Sequence, residues 1–408
     1  MEILTGVYLF YMFLALYFLT LFILIFLQNR KEIFFVPEYK KAFSLSVLVP
    51  AYNEEKSIKG TVESILASDY SHIGEIIIIN DGSKDNTLKI VRELEKKYPL
   101  IKVLNKTNSG KASSLNEAIK IAKGELIAVV DADSYPDRNA ISSMIGFFDE
   151  EGVGAVTTRV SVREKNNFIQ ILQSIEYKVI AFTRKLLGFV DAIYVTPGPL
   201  AIYKKSALIH IGGFDPKNMT EDIEATWHLA SEGYKIRMSF VSKSTTVAPN
   251  NIKKWFKQRV RWNIGGTQTI LKYKKMFFKK GMLGSFILPF FTFSLILGVL
   301  GISIFGYRLI RRFLVSYLIT GYSVASQTAI LKLQDINMNP SILIFFGTVL
   351  FAFGLWFTFF ALRYVNKETN ERESFFSVLF YSLVYITIYP FILLTSLYKL
   401  SIGKYSWR

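Results

Sequence analysis

Residues 44–55, SLSVLVPAYNEE, set a short apolar, β-branched run against an abruptly polar end. Such a run, closed by Pro50, predicts a buried strand. The same grammar repeats outward from it. Ile58, Val62, Ile65 and Leu66 fall at helical spacing. EIIIIND (75–81) predicts a second buried strand, with a helix opening near Asp85 and Asn86 and Thr87 as capping residues. Ile101–Leu104 predicts a third strand, Ala112–Ala122 a third helix, and Leu126–Asp131 a fourth strand. Strands alternating with helices at this pitch predict an α/β domain whose mostly parallel sheet is covered on both faces. Ligands of such sheets bind beyond the carboxyl ends of the strands.

Those ends carry Tyr52, Asn53 and Glu54, then Asp81, then Asp131 and Asp133. Any one of them has an ordinary explanation, since Asp81-Gly82-Ser83 alone is a turn. Acidic residues at three neighbouring strand ends repel, and a divalent metal or a basic ligand relieves that repulsion. A nicotinamide-binding domain would place G-x-G-x-x-G after the first strand, and VPAYNEE does not.

Apolar residues make up 51% of the 408 residues but are unevenly placed. Ile3–Leu27, Ser285–Tyr307, Phe313–Leu331, Ser341–Leu362 and Ser374–Tyr398 contain no charge. As helices, each can cross a hydrocarbon core roughly 30 Å thick. The first run is too long for a signal peptide, lacks a basic start and has no small-residue cleavage site. Arg30, Lys31, Lys40 and Lys41 follow it, which predicts a cytosolic central domain. Arg308, Arg311 and Arg312 then face outward against the rule, so one late span is expected to be interfacial or re-entrant. The net charge of +17 gathers near membrane segments, as at Lys253–Lys257, where anionic headgroups attract it. No aromatic RNA-binding motif accompanies these clusters, so nucleic acid is not an expected partner. The absence of cysteine excludes disulfides and thiolate metal sites.

From Ser44 to Gln268 the chain resembles the family 2 glycosyltransferases of GT-A fold. The resemblance rests on an ordered series: VPAYNEE (49–55), NDGS (80–83), Gly110-Lys111-Ala112, Asp131-Ala132-Asp133, TPGP (196–199), Thr220-Glu221-Asp222 and QRVRW (258–262). The last two motifs are similar to those of processive polysaccharide synthases, among them cellulose, chitin and hyaluronan synthases. Thr220-Glu221-Asp222, Lys204-Lys205-Ser206-Ala207 and the chain length look most like poly-N-acetylglucosamine synthases.

The resemblance implies a role for each motif. Tyr52, Glu54 and Asp81 would hold the nucleoside end of a UDP-sugar, and Lys111 would sit near the nucleotide. Asp133 would ligate Mg²⁺ or Mn²⁺, and Asp131 would contact ribose or a metal-bound water. Asp222 would be the general base, at the first turn of a helix capped by Thr220, where the helix dipole would lower its pKa. Gln258 and Arg261 would lie against the diphosphate. Trp262, Gly198, Pro199 and Glu221 would form the acceptor side. Arg259 carries no assigned role, and His72, His210 and His228 have no metal-binding spacing. The tail from Gly403 to Arg408 is weakly similar to those of hyaluronan synthases. Aromatics of the late spans, such as Phe290, Trp356 and Tyr385, fit either interhelical packing or a glycan path.

The expected organisation is a transmembrane helix over 1–30 and an α/β, Rossmann-like GT-A domain over 44–250. Interfacial amphipathic helices over 251–282 lead to about four transmembrane helices over 283–400 and a cytosolic tail over 401–408. The expected protein is a multi-pass plasma-membrane transferase whose partners are a UDP-sugar, a growing glycan or lipid acceptor and the bilayer, with an accessory membrane subunit as a further candidate. A single displacement would invert the anomeric centre and make a β-linked polysaccharide, with UDP-N-acetylglucosamine favoured over UDP-glucose. A non-processive transferase acting on a lipid acceptor is the alternative. Intact Asp81, Asp133 and Asp222 argue against a silent scaffold.

Overall fold

The computed structural model describes residues 2–279, 281–327, 342–367 and 372–403. Its centre is an eight-stranded sheet in the order β3-β2-β1-β4-β7-β6-β8-β5. The strands are β1 (Leu45–Ala51), β2 (Ile73–Asp81), β3 (Ile101–Lys106), β4 (Leu126–Val129), β5 (Ser134–Pro136), β6 (Val153–Val162), β7 (Ala201–Lys204) and β8 (Lys235–Thr246). The half from β3 to β4 is parallel. Beyond β4 the sheet is mixed: β7 runs antiparallel to β4 and β6, while β6 and β8 pair in parallel.

Side chains of a strand alternate between the two faces of its sheet. Val47, Val49, Ile76 and Ile78 pack into one core, while Leu48, Ile77 and Ile79 pack into the other. Burial on both faces is why these strands read as unbroken apolar runs. Helices α1 (Glu2–Asn29), α2 (Ile58–Leu66), α3 (Thr87–Lys97) and α4 (Lys111–Ile121) include the three crossovers expected between strands. At the start of α3 the cap is Asp85, not Asn86 or Thr87. Its Oδ1 accepts from the Thr87 amide at 3.0 Å and hydroxyl at 2.6 Å, while Asn86 makes no capping bond.

Three further helices build the site: α5 (Phe168–Gly188), α6 (Glu221–Ser231) and the amphipathic α7 (Ile252–Tyr273). The amide of Gln170 donates to the Asn167 side chain, and that of Lys254 to the Asn251 side chain, starting α5 and α7. A Cβ at Gly265 would collide with Thr220, so glycine there lets α7 lie directly over the first turn of α6. The hydroxyl of Tyr273 and the ammonium of Lys272 close the other end of this contact on Glu224, at 2.8 and 2.6 Å.

Among the described residues, four helical segments are long and apolar enough to cross a membrane: Leu9–Asn29, Leu283–Ser326, Gly347–Val365 and Phe375–Ser401. The runs 285–307 and 313–327 form one helix, α8 (Leu288–Ser326), which passes straight through Arg308. No breaker separates the two runs, and arginine is a good helix former. Arg308, Arg311 and Arg312 are spaced to share one face of it. The expected residues 328–331 and the tail motif beyond Gly403 lie outside the described residues. Phe18 meets Phe290 and Tyr11 meets Gly301, so α8 is antiparallel to α1. Phe22 meets Phe357 and Phe26 meets Tyr364, so α9 (Ile342–Val365) runs parallel to α1. The last segment is interrupted over residues 381–388 before α10 (Tyr389–Ser401). It packs lengthwise on the domain, from Phe380 against Phe168 of α5 to Ser396 against Val260 of α7.

Candidate active site

The site begins where β1 ends. Asn53 adopts a left-handed conformation (φ 56°), which asparagine tolerates better than most residues. Its amide donates to the Ser83 hydroxyl at 3.0 Å and its side-chain oxygen accepts from the Lys84 amide at 2.8 Å. This turn leaves Tyr52 exposed and directs Glu54 inward. The Ser57 hydroxyl donates to Glu54 at 2.6 Å, yet burial, with repulsion from Asp131, raises the Glu54 pKa. At the end of β2, both Asp81 oxygens accept backbone N–H bonds of 2.9 Å from Ser109 and Gly110. Asp81 therefore holds the turn that launches α4, and with it Lys111.

Lys111 is the central cation. Its ammonium lies 2.6 Å from Asp131 and 2.7 Å from Glu221, tying the end of β4 to the first turn of α6. Burial opposes its charge, but Asp131, Glu221 and Asp222 together hold its pKa well above the ordinary lysine value. The Asp131 amide donates to the Gly198 carbonyl at 2.9 Å, and a Cβ at Gly198 would strike the Asp131 carboxylate. Glycine is required at 198 for that reason. Asp133 accepts only long bonds from Ser134 (3.2 Å) and Thr246 (3.4 Å). Burial, then repulsion from Asp131 and Glu54, pushes its pKa up to about 7.

Asp222 departs from expectation in its electrostatics. Its Oδ1 accepts from the Ile223 amide at 2.9 Å, but burial and the adjacent Glu221 outweigh that bond and Lys111, raising the pKa to about 6. The helix start does not depress it. Thr220 occupies the N-cap position without capping, because its amide and hydroxyl both bond to Asn218.

From α7, Gln258, Arg261 and Trp262 face the same space, whereas Arg259 turns away. Arg259 is buried against Glu176 of α5 and bonded to the Tyr389 hydroxyl, and donates to Gln258 at 2.6 Å. Its guanidinium also lies 4.0 Å from the Trp262 ring centre, and Tyr177 stacks near that ring at 6.5 Å. Lys111, Asp131, Asp133, Gly198, Pro199, Glu221, Asp222, Gln258, Arg261 and Trp262 thus line one cavity of about 280 Å³. Tyr52, Glu54 and Asp81 are outside its wall, on the adjoining strand ends. A larger hollow of about 440 Å³ beside Lys185 and Arg237 contains none of the expected residues. None of the three histidines lines the cavity.

The motifs leave Tyr177, Arg184 and Tyr194 unmarked, although all three line the cavity. A signal exists for the first two. Tyr177, Ile180, Ala181 and Arg184 follow i, i+3, i+4, i+7 spacing, a single helical stripe. Tyr194 sits in a loop with no periodicity to mark it.

A mixed sheet with acidic parallel-strand ends and a carboxylate-lined cavity beside an amphipathic helix define a scaffold of GT-A type. Residues 46–212 match the family described as Glycosyl transferase family 2. A poly-beta-1,6-N-acetyl-D-glucosamine synthase of Staphylococcus epidermidis is 36% identical over 237 residues, 58% of this chain and 57% of that protein. A synthase of the same name from Staphylococcus aureus (strain COL) is 34% identical over 230 residues, 56% of each. The chain therefore spans a little over half the length of these relatives. Among solved structures, the mannosyltransferase PcManGT from Pyrobaculum calidifontis, in complex with GDP-Man and Mn²⁺, shares the fold. The TM-score is 0.56 at 18% identity, over 98% of this chain and 96% of that one.

Proposed function

We propose that this protein is a membrane-embedded, inverting glycosyltransferase that elongates a β-linked polysaccharide from a UDP-sugar, with UDP-N-acetylglucosamine the first donor to test. The observation that carries the reading is the single cavity in which Lys111, Asp131, Asp133, Glu221 and Asp222 meet Gln258, Arg261 and Trp262. The name shared by the Staphylococcus relatives supports the choice of donor and product.

In this reading the acceptor sugar rests on Trp262 with its hydroxyl toward Asp222. Asp222 accepts the hydroxyl proton as the oxygen attacks the anomeric carbon. A bond forms between that oxygen and the carbon, the bond from the carbon to the diphosphate breaks, and the configuration inverts. The Ile223 amide orients the accepting carboxylate, and Lys111 fixes Asp131 and Glu221 around the reacting centre. Arg261 and Gln258 bind the diphosphate, for which a guanidinium fork is well matched.

Asp133 and Asp131 suit a hard divalent cation, because Asp133 is buried beside other carboxylates and Lys111 is already shared by Asp131 and Glu221. Among the described residues no three metal-binding side chains converge, so phosphates and water would complete the coordination. When bound, Mg²⁺ or Mn²⁺ would offset the charge developing on the departing diphosphate.

The basic residues after α1 support a cytosolic catalytic domain in the plasma membrane, with α8 leaving and α9 returning. The lengthwise packing of Phe375–Ser401 on α5 and α7 supports an interfacial, re-entrant segment. The decisive experiment incubates detergent-purified protein with Mn²⁺ and a panel of UDP-sugars and sizes the product. A high-molecular-weight polymer from one donor is expected. A single sugar added to lipid would replace the polymerase reading with a lipid glycosyltransferase, and no transfer from any donor would remove both.

A further inference from the structure

Helix α5 carries one cation into the cavity that the proposed reaction leaves unused. Arg184 is 6% exposed and lines the wall it shares with Asp222 and Tyr194. Among the described residues it makes no hydrogen bond or ion pair, and its Nε is fully buried without a partner. Burial lowers its pKa, and Tyr194 and Asp222 oppose this only at longer range. Two other arginines of the domain, by contrast, are paired with carboxylates: Arg237 is held by Glu150 and Asp191, and Arg259 by Glu176.

A guanidinium has five N–H donors and no acceptor, and desolvating it unpaired is costly. Packing alone would not need the charge, since Ile180 and Ala181 fill the same stripe. The position of Arg184 says which occupant answers it. On the opposite face of α5, Phe182 packs on Phe26 of α1 and on Phe357 and Phe360 of α9. Tyr194 meets Phe291 of α8 with ring centres 4.6 Å apart. Helix α5 and Tyr194 thus stand between the cavity and the membrane helices.

We infer that Arg184 clamps the acceptor sugar, donating to its hydroxyl or amide oxygens while Asp222 faces the hydroxyl that reacts. This rests on the transferase reading, and the test separates the two. Full-length protein in detergent is assayed with UDP-N-acetylglucosamine and a short β-linked N-acetylglucosamine oligomer, comparing wild type with Arg184→Met and Arg184→Lys. Arg184→Met should raise KM for the oligomer about 10- to 100-fold. It should leave UDP affinity, read by calorimetry, unchanged, and should raise the melting temperature of the ligand-free protein by removing an unpaired buried charge. Arg184→Lys should fall between, keeping the charge but losing the fork. An unchanged oligomer KM, or a lowered melting temperature with Arg184→Met, overturns the inference. If wild type transfers from no UDP-sugar, the transferase reading falls. The melting temperature still decides whether Arg184 is held for a ligand or for the fold.

Discussion

Asp222 is where local chemistry and surroundings pull in opposite directions. A carboxylate in the first turn of a helix is normally stabilised in its charged form, yet burial beside Glu221 raises this one to about 6. A base must be ionised to act, so kcat/KM should fall as pH drops through about 6, which a pH–rate profile measures. The same shift bears on stability. A carboxyl group with a raised folded-state pKa stabilises the fold fully below its unfolded value, and that stability is lost as pH rises through the folded value. Ligand-free protein should therefore melt at a higher temperature at about pH 5 than at about pH 8, and Asp222→Asn should reduce the difference, Asp133 supplying a further part of it. The same variant should abolish transfer while UDP binding, measured by calorimetry, persists; retained transfer would remove Asp222 as the base.

At the scale of elements, α7 is the part on which the site depends most, and Arg259 anchors it. Its side chain and Glu176 are 1% and 4% exposed, and the pair is bonded to Tyr389 and Tyr385. Removing one partner of a buried pair strands the other charge, at about 3–5 kcal/mol. Glu176→Gln should thus lower stability in chemical denaturation. It should also reduce transfer, because Gln258 and Trp262 lean on the same guanidinium. Gly265→Ala gives an independent check. Its Cβ would push α7 off Thr220, so kcat should fall although residue 265 is absent from the cavity wall. An unchanged kcat would mean that the α6–α7 contact does not set the geometry of Asp222.

For the whole molecule, the membrane arrangement is directly testable because the chain contains no cysteine. Single cysteines can be introduced without background and probed in intact cells with an impermeant maleimide. Gln327→Cys, at the far end of α8, should react from outside, whereas Lys40→Cys should not. Lys399→Cys should also stay unlabelled if Phe375–Ser401 re-enters, and labelling there would make that segment a full span. Helix α8 has 39 residues, about 58 Å, nearly twice a hydrocarbon core. Arg308 lies about 30 Å along it from Leu288, at headgroup depth on the far side. Metal dependence is a property of the assembled site, so chelation should abolish transfer and added Mn²⁺ should restore it.

By itself the sequence determined the elements whose signal is local. Apolar, β-branched runs marked β1, β2 and β4, because strands buried on both faces favour apolar residues at successive positions. Long uncharged runs marked the membrane segments, and the order of motifs marked the residues from Tyr52 to Trp262. Tertiary structure alone decided which polar groups answer one another. Lys111 bridging Asp131 and Glu221 joins residues far apart in the chain, and the raised pKa of Asp222 comes from burial that no local pattern records. Arg259 turning from the cavity to Glu176, and Arg184 remaining without a partner among the described residues, depend likewise on where α5 meets α7. The continuity of α8 through Arg308 was hidden for a related reason: charge within a helix reads as a boundary until its neighbours show where the membrane ends.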